Sequence, residues 1–286
     1  MSGTSISFEH EKKSIFYINF ILIFFVIVTF FFGFPLKYFF YFNILFTFFL
    51  SYFFFKKSRK LSKLLILTNL FIFFYFLYPN VATFFVEIFG SISYLFILLY
   101  NLFLAYIFLV FSGENQTFLG DFRKTSFKLL GIVLLVGIVM GFMFYLIREP
   151  IPYQLFNPSS SDYFLKILSF TLLLSFSEQM IFTGFLFNSY KYLSSKIEAF
   201  YQVAIVFVLF HILRFENLVK VYHASFPDSY LVYITFYYIF LFFFMVSALY
   251  FYSLKSKKYT GNFLYPFLLH FFVDTTLYSL VWLFGI

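Results

Sequence analysis

The sequence predicts an all-α, polytopic transmembrane bundle of eight to nine membrane helices, and three observations carry that reading. First, 63% of the 286 residues are hydrophobic and only 11% are charged, with a mean hydropathy of +0.92, well beyond a soluble domain. Second, the apolar residues lie in long blocks, and a spanning helix needs about 20 of them. Third, strongly basic gaps between blocks alternate with near-neutral ones, as the positive-inside rule requires.

Taken in order, the blocks are 16–34, 38–55, 63–78, 91–111, 128–147, 162–188, 199–213, 230–253 and 262–284. The third and seventh are short, and Val81 to Phe89 reads as a re-entrant or interfacial piece. The first block is long enough to span and lacks a small-residue cleavage site, so it is expected to stay as a membrane helix instead of leaving as a signal peptide. With a cytoplasmic N-terminus, the strongly basic gaps all fall inside: Lys56, Lys57, Arg59, Lys60 and Lys63; Arg123 and Lys124; Lys191 and Lys196; Lys255, Lys257 and Lys258. The opposite gaps are near neutral, carrying Glu87, then Arg148 with Glu149, then Arg214, Glu216, Lys220 and Asp228. An integral protein of a bacterial plasma membrane is the expected setting.

The run Glu149 to Asp162 interrupts the chain most clearly. Pro150, Pro152 and Pro158 forbid a regular helix, and Ser159 to Asp162 supplies N-cap residues for the next one. The chain is therefore expected to divide into an N-terminal block, 1–150, of about five helices and a C-terminal block, 151–286, of about four.

Composition also removes several functions. The net charge of +8 resides in short gaps and forms no broad basic patch, so nucleic acid is not an expected partner. The lack of cysteine excludes disulfides, thiol catalysis and Fe–S ligation. The 57 Phe and 25 Tyr residues have A/T-rich codons, and a low-G+C genome fills lipid-facing positions with Phe. No single aromatic is thereby marked as a binding platform.

The chemistry lies after the break. In block 162–188, Thr171, Ser175 and Glu178 are spaced by four and three and share a helix face, while Gln179 and Thr183 form the adjacent i,i+4 pair. A charge in an apolar helix must be paired, protonated or used. His211 and His270 also sit within apolar sequence, whereas His10 lies in the polar lead and His223 in a loop. Asp274 follows His270 by one turn. A buried structural carboxylic acid for Glu178, and structural hydrogen bonds for each histidine, are the plainer accounts of each residue taken alone. On the expected topology, however, Glu178, His211 and His270 lie at about 15, 18 and 12 Å from the cytoplasmic edge at 1.5 Å per residue. Ionisable residues on three helices thus share one level.

Two imidazoles with carboxylates can hold a water and take its proton. Glu178 is the expected general base; His211, His270 and Asp274 either ligate Zn²⁺ or another divalent metal, with Glu178 as a further ligand, or orient water and stabilise an oxyanion without one. Spacing does not choose between them. No HExxH, GxSxG or Ser/Lys pattern supports a zincin or serine-type site.

These residues resemble the CPBP intramembrane protease family, also called the CAAX protease and bacteriocin-processing or Abi family. The family pattern Glu-Glu-x-x-Phe-Arg-Gly is matched by Glu178 to Gly184, Phe-x-x-x-His by Phe207 to His211, and His-x-x-x-Asn/Asp by His270 to Asp274. The resemblance covers about residues 160–286. It implies an intramembrane endopeptidase in which Glu178 activates water, His211, His270 and Asp274 bind or polarise the reacting groups, and Phe182, Phe207, Gln179 and Thr183 support them. The second family Glu is Gln179 here and the family Arg is Thr183, so an ionic i,i+4 pair becomes a neutral one, expected to form a Gln–Thr hydrogen bond. The implied substrate is a membrane-embedded or lipidated peptide or protein, reached through a cavity open to the cytoplasmic side. A catalytically inactive member serving as a membrane binding or immunity protein is the alternative reading, and a proton-coupled transporter the second.

Overall fold

A computed structural model describes residues 125–147, 163–193, 195–211, 215–254 and 261–284, with scattered positions between 49 and 110. The elements within it are all helices: α1 (Phe127–Leu146), α2 (Tyr163–Gln179), a π-helical stretch (Met180–Phe187), α3 (Asn188–Leu193), α4 (Lys196–His211), α5 (Phe215–Ser225), α6 (Tyr230–Ser253) and α7 (Leu264–Phe284). Four helices among the described residues are long and apolar enough to cross a membrane: α1, the run Ile167–Phe187 of α2 and its π extension, α6 and α7. The chain is an integral membrane protein. The expected blocks 16–34, 38–55 and 63–78 and most of 91–111 lie outside the described residues, so a total of eight or nine stands as an expectation. Helix α4 has 16 residues, about 24 Å, shorter than the hydrocarbon core.

The C-terminal blocks fall close to their expected ranges, 230–253 without a shift. One expectation is corrected. The segment after His211 was read as a loop containing His223, but Phe215–Ser225 is helical. Its buried Tyr222 stacks on Tyr233 of α6 at 5.9 Å, while Lys220 and His223 are exposed. The charge at Lys220 suggested solvent; it belongs to the polar side of an amphipathic helix.

Helix α2 with its π extension is the centre of the bundle. Of its apolar window 78% is buried, against 33% or less in the other three spans, so it is enclosed by protein where the others face lipid. Helix α7 runs antiparallel to it, as Phe176 meets Phe263 and Phe267 while the earlier Phe170 meets the later Tyr278. Between the two helices lies a polar seam. Thr171 and Thr275 share a hydrogen bond at 3.1 Å, and the Ser175 hydroxyl donates to Asp274 Oδ2 at 3.4 Å. The stripe predicted from the four-and-three spacing is thus buried against protein, where a polar group finds a partner that lipid cannot supply. A double-mutant cycle of Thr171→Val and Thr275→Val, read as detergent unfolding, is expected to give a coupling of about 0.6 kcal/mol.

Helix α1 lies parallel to α7, with the Ser126 N–H donating to the Tyr265 hydroxyl at one end and Tyr145 near Phe284 at the other. Their closeness has a sequence cause. A Cβ at Gly137 would come 2.7 Å from Phe272 Cβ, and one at Gly141 would come 2.7 Å from Thr276 Cβ. Only glycine lets the two backbones approach this far.

The π-helical stretch follows Gln179 directly, and all eight of its residues are buried. Asn188 explains where it ends. Its side-chain amide donates to the Gly184 carbonyl at 3.0 Å, the group that an α-helix would have bonded to the Asn188 backbone N–H. That N–H bonds to Phe185 O instead. Such stretches recur at functional sites, and this one begins two residues after Glu178.

Candidate active site

Three of the ionisable residues nominated by the sequence converge. His270 Nε2 lies 3.8 Å from Glu178 Oε2 and 3.4 Å from Asp274 Oδ2. Glu178 comes from the central helix and the other two from one turn of α7, so the antiparallel α2–α7 pair brings the cluster together. The depth match expected for Glu178 and His270 is realised as contact. Both side chains are 7% exposed, whereas that of Asp274 retains 15%, so the cluster opens on the Asp274 side. In so apolar a setting each charge interacts more strongly than in water, and pairing is what makes its burial tolerable.

Gln179 and Thr183 form the bond expected of a neutral i,i+4 pair, the Thr183 hydroxyl donating to Gln179 Oε1 at 2.5 Å. The amide does more than that. Its Nε2 lies 3.2 Å from His270 Nδ1, so Gln179 reaches the far side of the ring whose Nε2 faces the carboxylates. Sequence spacing showed the Gln–Thr bond because it is local, but gave no sign of a contact across 91 residues.

His211 is buried at the end of α4. Its Nδ1 lies 2.8 Å from the Phe207 carbonyl, and its ring packs on Phe207 at 4.3 Å and Phe210 at 5.3 Å. Phe182 stands edge-on to Phe207 and Phe210 at 4.8 and 5.3 Å, joining the π-helical stretch to α4. Phe244 of α6 lies 5.7 Å from Phe207 and 4.9 Å from His270. Through Phe207 and Phe244, a continuous aromatic wall links the two histidines. Sequence reading did not single out Phe244 or Thr275; one is among 57 Phe residues, and the other adjoins a residue already chosen.

The donor set bears on a metal. Among the described residues no three His, Asp or Glu side chains are arranged to hold a metal ion.

Residues 160–276 match the model of a family described as type II CAAX prenyl endopeptidase Rce1-like. Over this segment the chain is similar to the CAAX-protease family. The match includes the three clustered residues and His211, and runs from just before α2 into α7, across the helices that build the site. Comparison with curated proteins and with solved structures finds no match.

Proposed function

We propose that this chain is an intramembrane endopeptidase that hydrolyses peptide bonds of membrane-associated peptides or proteins. The observation that supports it best is the meeting of Glu178, His270 and Asp274 at one buried point, within a segment similar to the CAAX-protease family.

Glu178 is the general base. Its carboxylate takes a proton from a water as the water oxygen attacks the scissile carbonyl carbon, and the carbonyl π electrons move to oxygen. His270 supplies an N–H to the developing oxyanion, and His211 helps to orient the attacking water. When the tetrahedral intermediate collapses, the C–N bond breaks and the proton held by Glu178 passes to the departing amine. Asp274 holds the His270 ring in place, and Phe182 and Phe207 hold His211. Gln179 and Thr183 retain a bonded pair without charge, which favours a supporting role that survived the change from ions over a site that decayed.

The substrate segment lies in the membrane or is tied to it by a lipid, because the cluster is enclosed by apolar helices. The experiment is cleavage of a membrane-peptide library by the detergent-solubilised protein, with metal content measured on the same preparation. Defined products from metal-free protein are expected. A folded protein that cuts nothing in a broad library supports the non-catalytic binding or immunity role instead, and activity that tracks bound metal contradicts the metal-independent scheme.

A further inference from the structure

The two histidines differ in what holds their Nδ1 atoms. His211 Nδ1 faces the backbone carbonyl of Phe207 at 2.8 Å. A carbonyl oxygen only accepts, so Nδ1 carries the proton and the Nε2 of the neutral ring is left as an acceptor.

His270 Nδ1 faces the side-chain amide of Gln179, which can donate or accept according to which way round it sits. Two distances decide its orientation. The contact to Thr183 Oγ1 is 2.5 Å, within the range of O–H···O bonds and shorter than N–H···O bonds usually are. The contact to His270 is 3.2 Å, suited to an N–H donor. The amide oxygen therefore belongs at Thr183 and the amide nitrogen at His270, so Nδ1 of His270 accepts. Its proton then sits on Nε2, the nitrogen lying 3.4 Å from Asp274 and 3.8 Å from Glu178, both of which accept.

We infer that the site holds its two histidines in opposite neutral tautomers, His211 with an accepting Nε2 and His270 with a donating Nε2, and that Gln179, fixed by Thr183, is the positioning residue that sets the second. This deepens the proposed reaction and rests on it for its meaning, since a donor at His270 Nε2 is what an oxyanion needs. A carboxylate at position 179 would accept only, and would draw a proton to His270 Nδ1 while Nε2 keeps its own against the two carboxylates. The neutral pair is thereby a device with a direction, beyond its role as a replacement for an ion pair.

The test is ¹⁵N NMR of the full-length protein labelled at histidine, in detergent, with His211→Gln and His270→Gln used to assign the signals. The expected spectrum has a protonated Nδ1 for His211 and a protonated Nε2 for His270. In Gln179→Glu, His270 is expected to gain a protonated Nδ1 while the pattern of His211 stays, the latter reporting that the fold is kept. If Gln179→Glu does not fold, Thr183→Val frees the amide to turn over, and His270 is expected to show both tautomers. Protonated Nδ1 on both histidines of the native protein would overturn the inference, as would a His270 pattern indifferent to both substitutions. The readout does not depend on cleavage, so an inactive protein with opposite tautomers would remove the proposed reaction and uphold the inference.

Discussion

Replacing Glu178 with Gln is expected to lower kcat for peptide cleavage by about 10²–10⁴-fold, the range contributed by a positioned general base, with KM little changed. The amide keeps the shape of the carboxylate and can still approach His270 Nε2, but it cannot take a proton from water. Because Glu178 stands 3.8 Å from His270 in a buried setting, loss of its charge also removes an interaction with the ring. That interaction is structural, and its removal would show in unfolding measurements, whereas the loss of the base shows in kcat. Single-turnover cleavage alongside thermal unfolding in the same detergent separates the two. A native kcat from Glu178→Gln would remove the carboxylate from the chemistry.

The second large effect is expected far from any ionisable group. Gly141→Leu places a side chain where even a single carbon would lie 2.5 Å from the Val273 carbonyl oxygen. The neighbour is backbone, which cannot swing aside, so α1 and α7 must separate. Overpacking of this kind costs about 1–3 kcal/mol. The displacement also falls on the turn of α7 that bears His270 and Asp274, so cleavage is expected to fall with stability. Gly131 of the same helix has nothing within 4 Å of where a Cβ would stand, and Gly131→Leu is expected to change neither. Equal losses at Gly131 and Gly141 would show that the close approach to α7 is not responsible.

Much of this site could be read from short-range spacing, and what could not be read depends on contacts between helices. Thr171, Ser175 and Glu178 declared a shared face because three and four residues are one helical turn, and the seam with Thr275, Asp274 and His270 lies on that face. The Gln179–Thr183 bond followed from the same periodicity. The Gln179–His270 contact had no such signal, nor did the edge-on contact of Phe244 with His270, since Phe244 looks in sequence like any other lipid-facing Phe. The π-helical stretch was equally hidden, since its end depends on the Asn188 side chain taking over the Gly184 carbonyl. Helix α5 was missed for a different reason: its charges were counted as loop charges, although Tyr222 is buried against the bundle from within the same eleven residues.

Cooperation between the two helices that meet at the site is the central claim, and a kinetic double-mutant cycle tests it most directly. Cleavage rates of the native protein, Glu178→Gln, His270→Gln and the double variant would be measured on one membrane peptide. Residues that act as a unit are grossly non-additive, so the double variant is expected to be about as slow as the slower single one. Independent, multiplying losses, or a single variant cleaving at the native rate, would contradict a site in which Glu178 and His270 work on the same water and the same carbonyl.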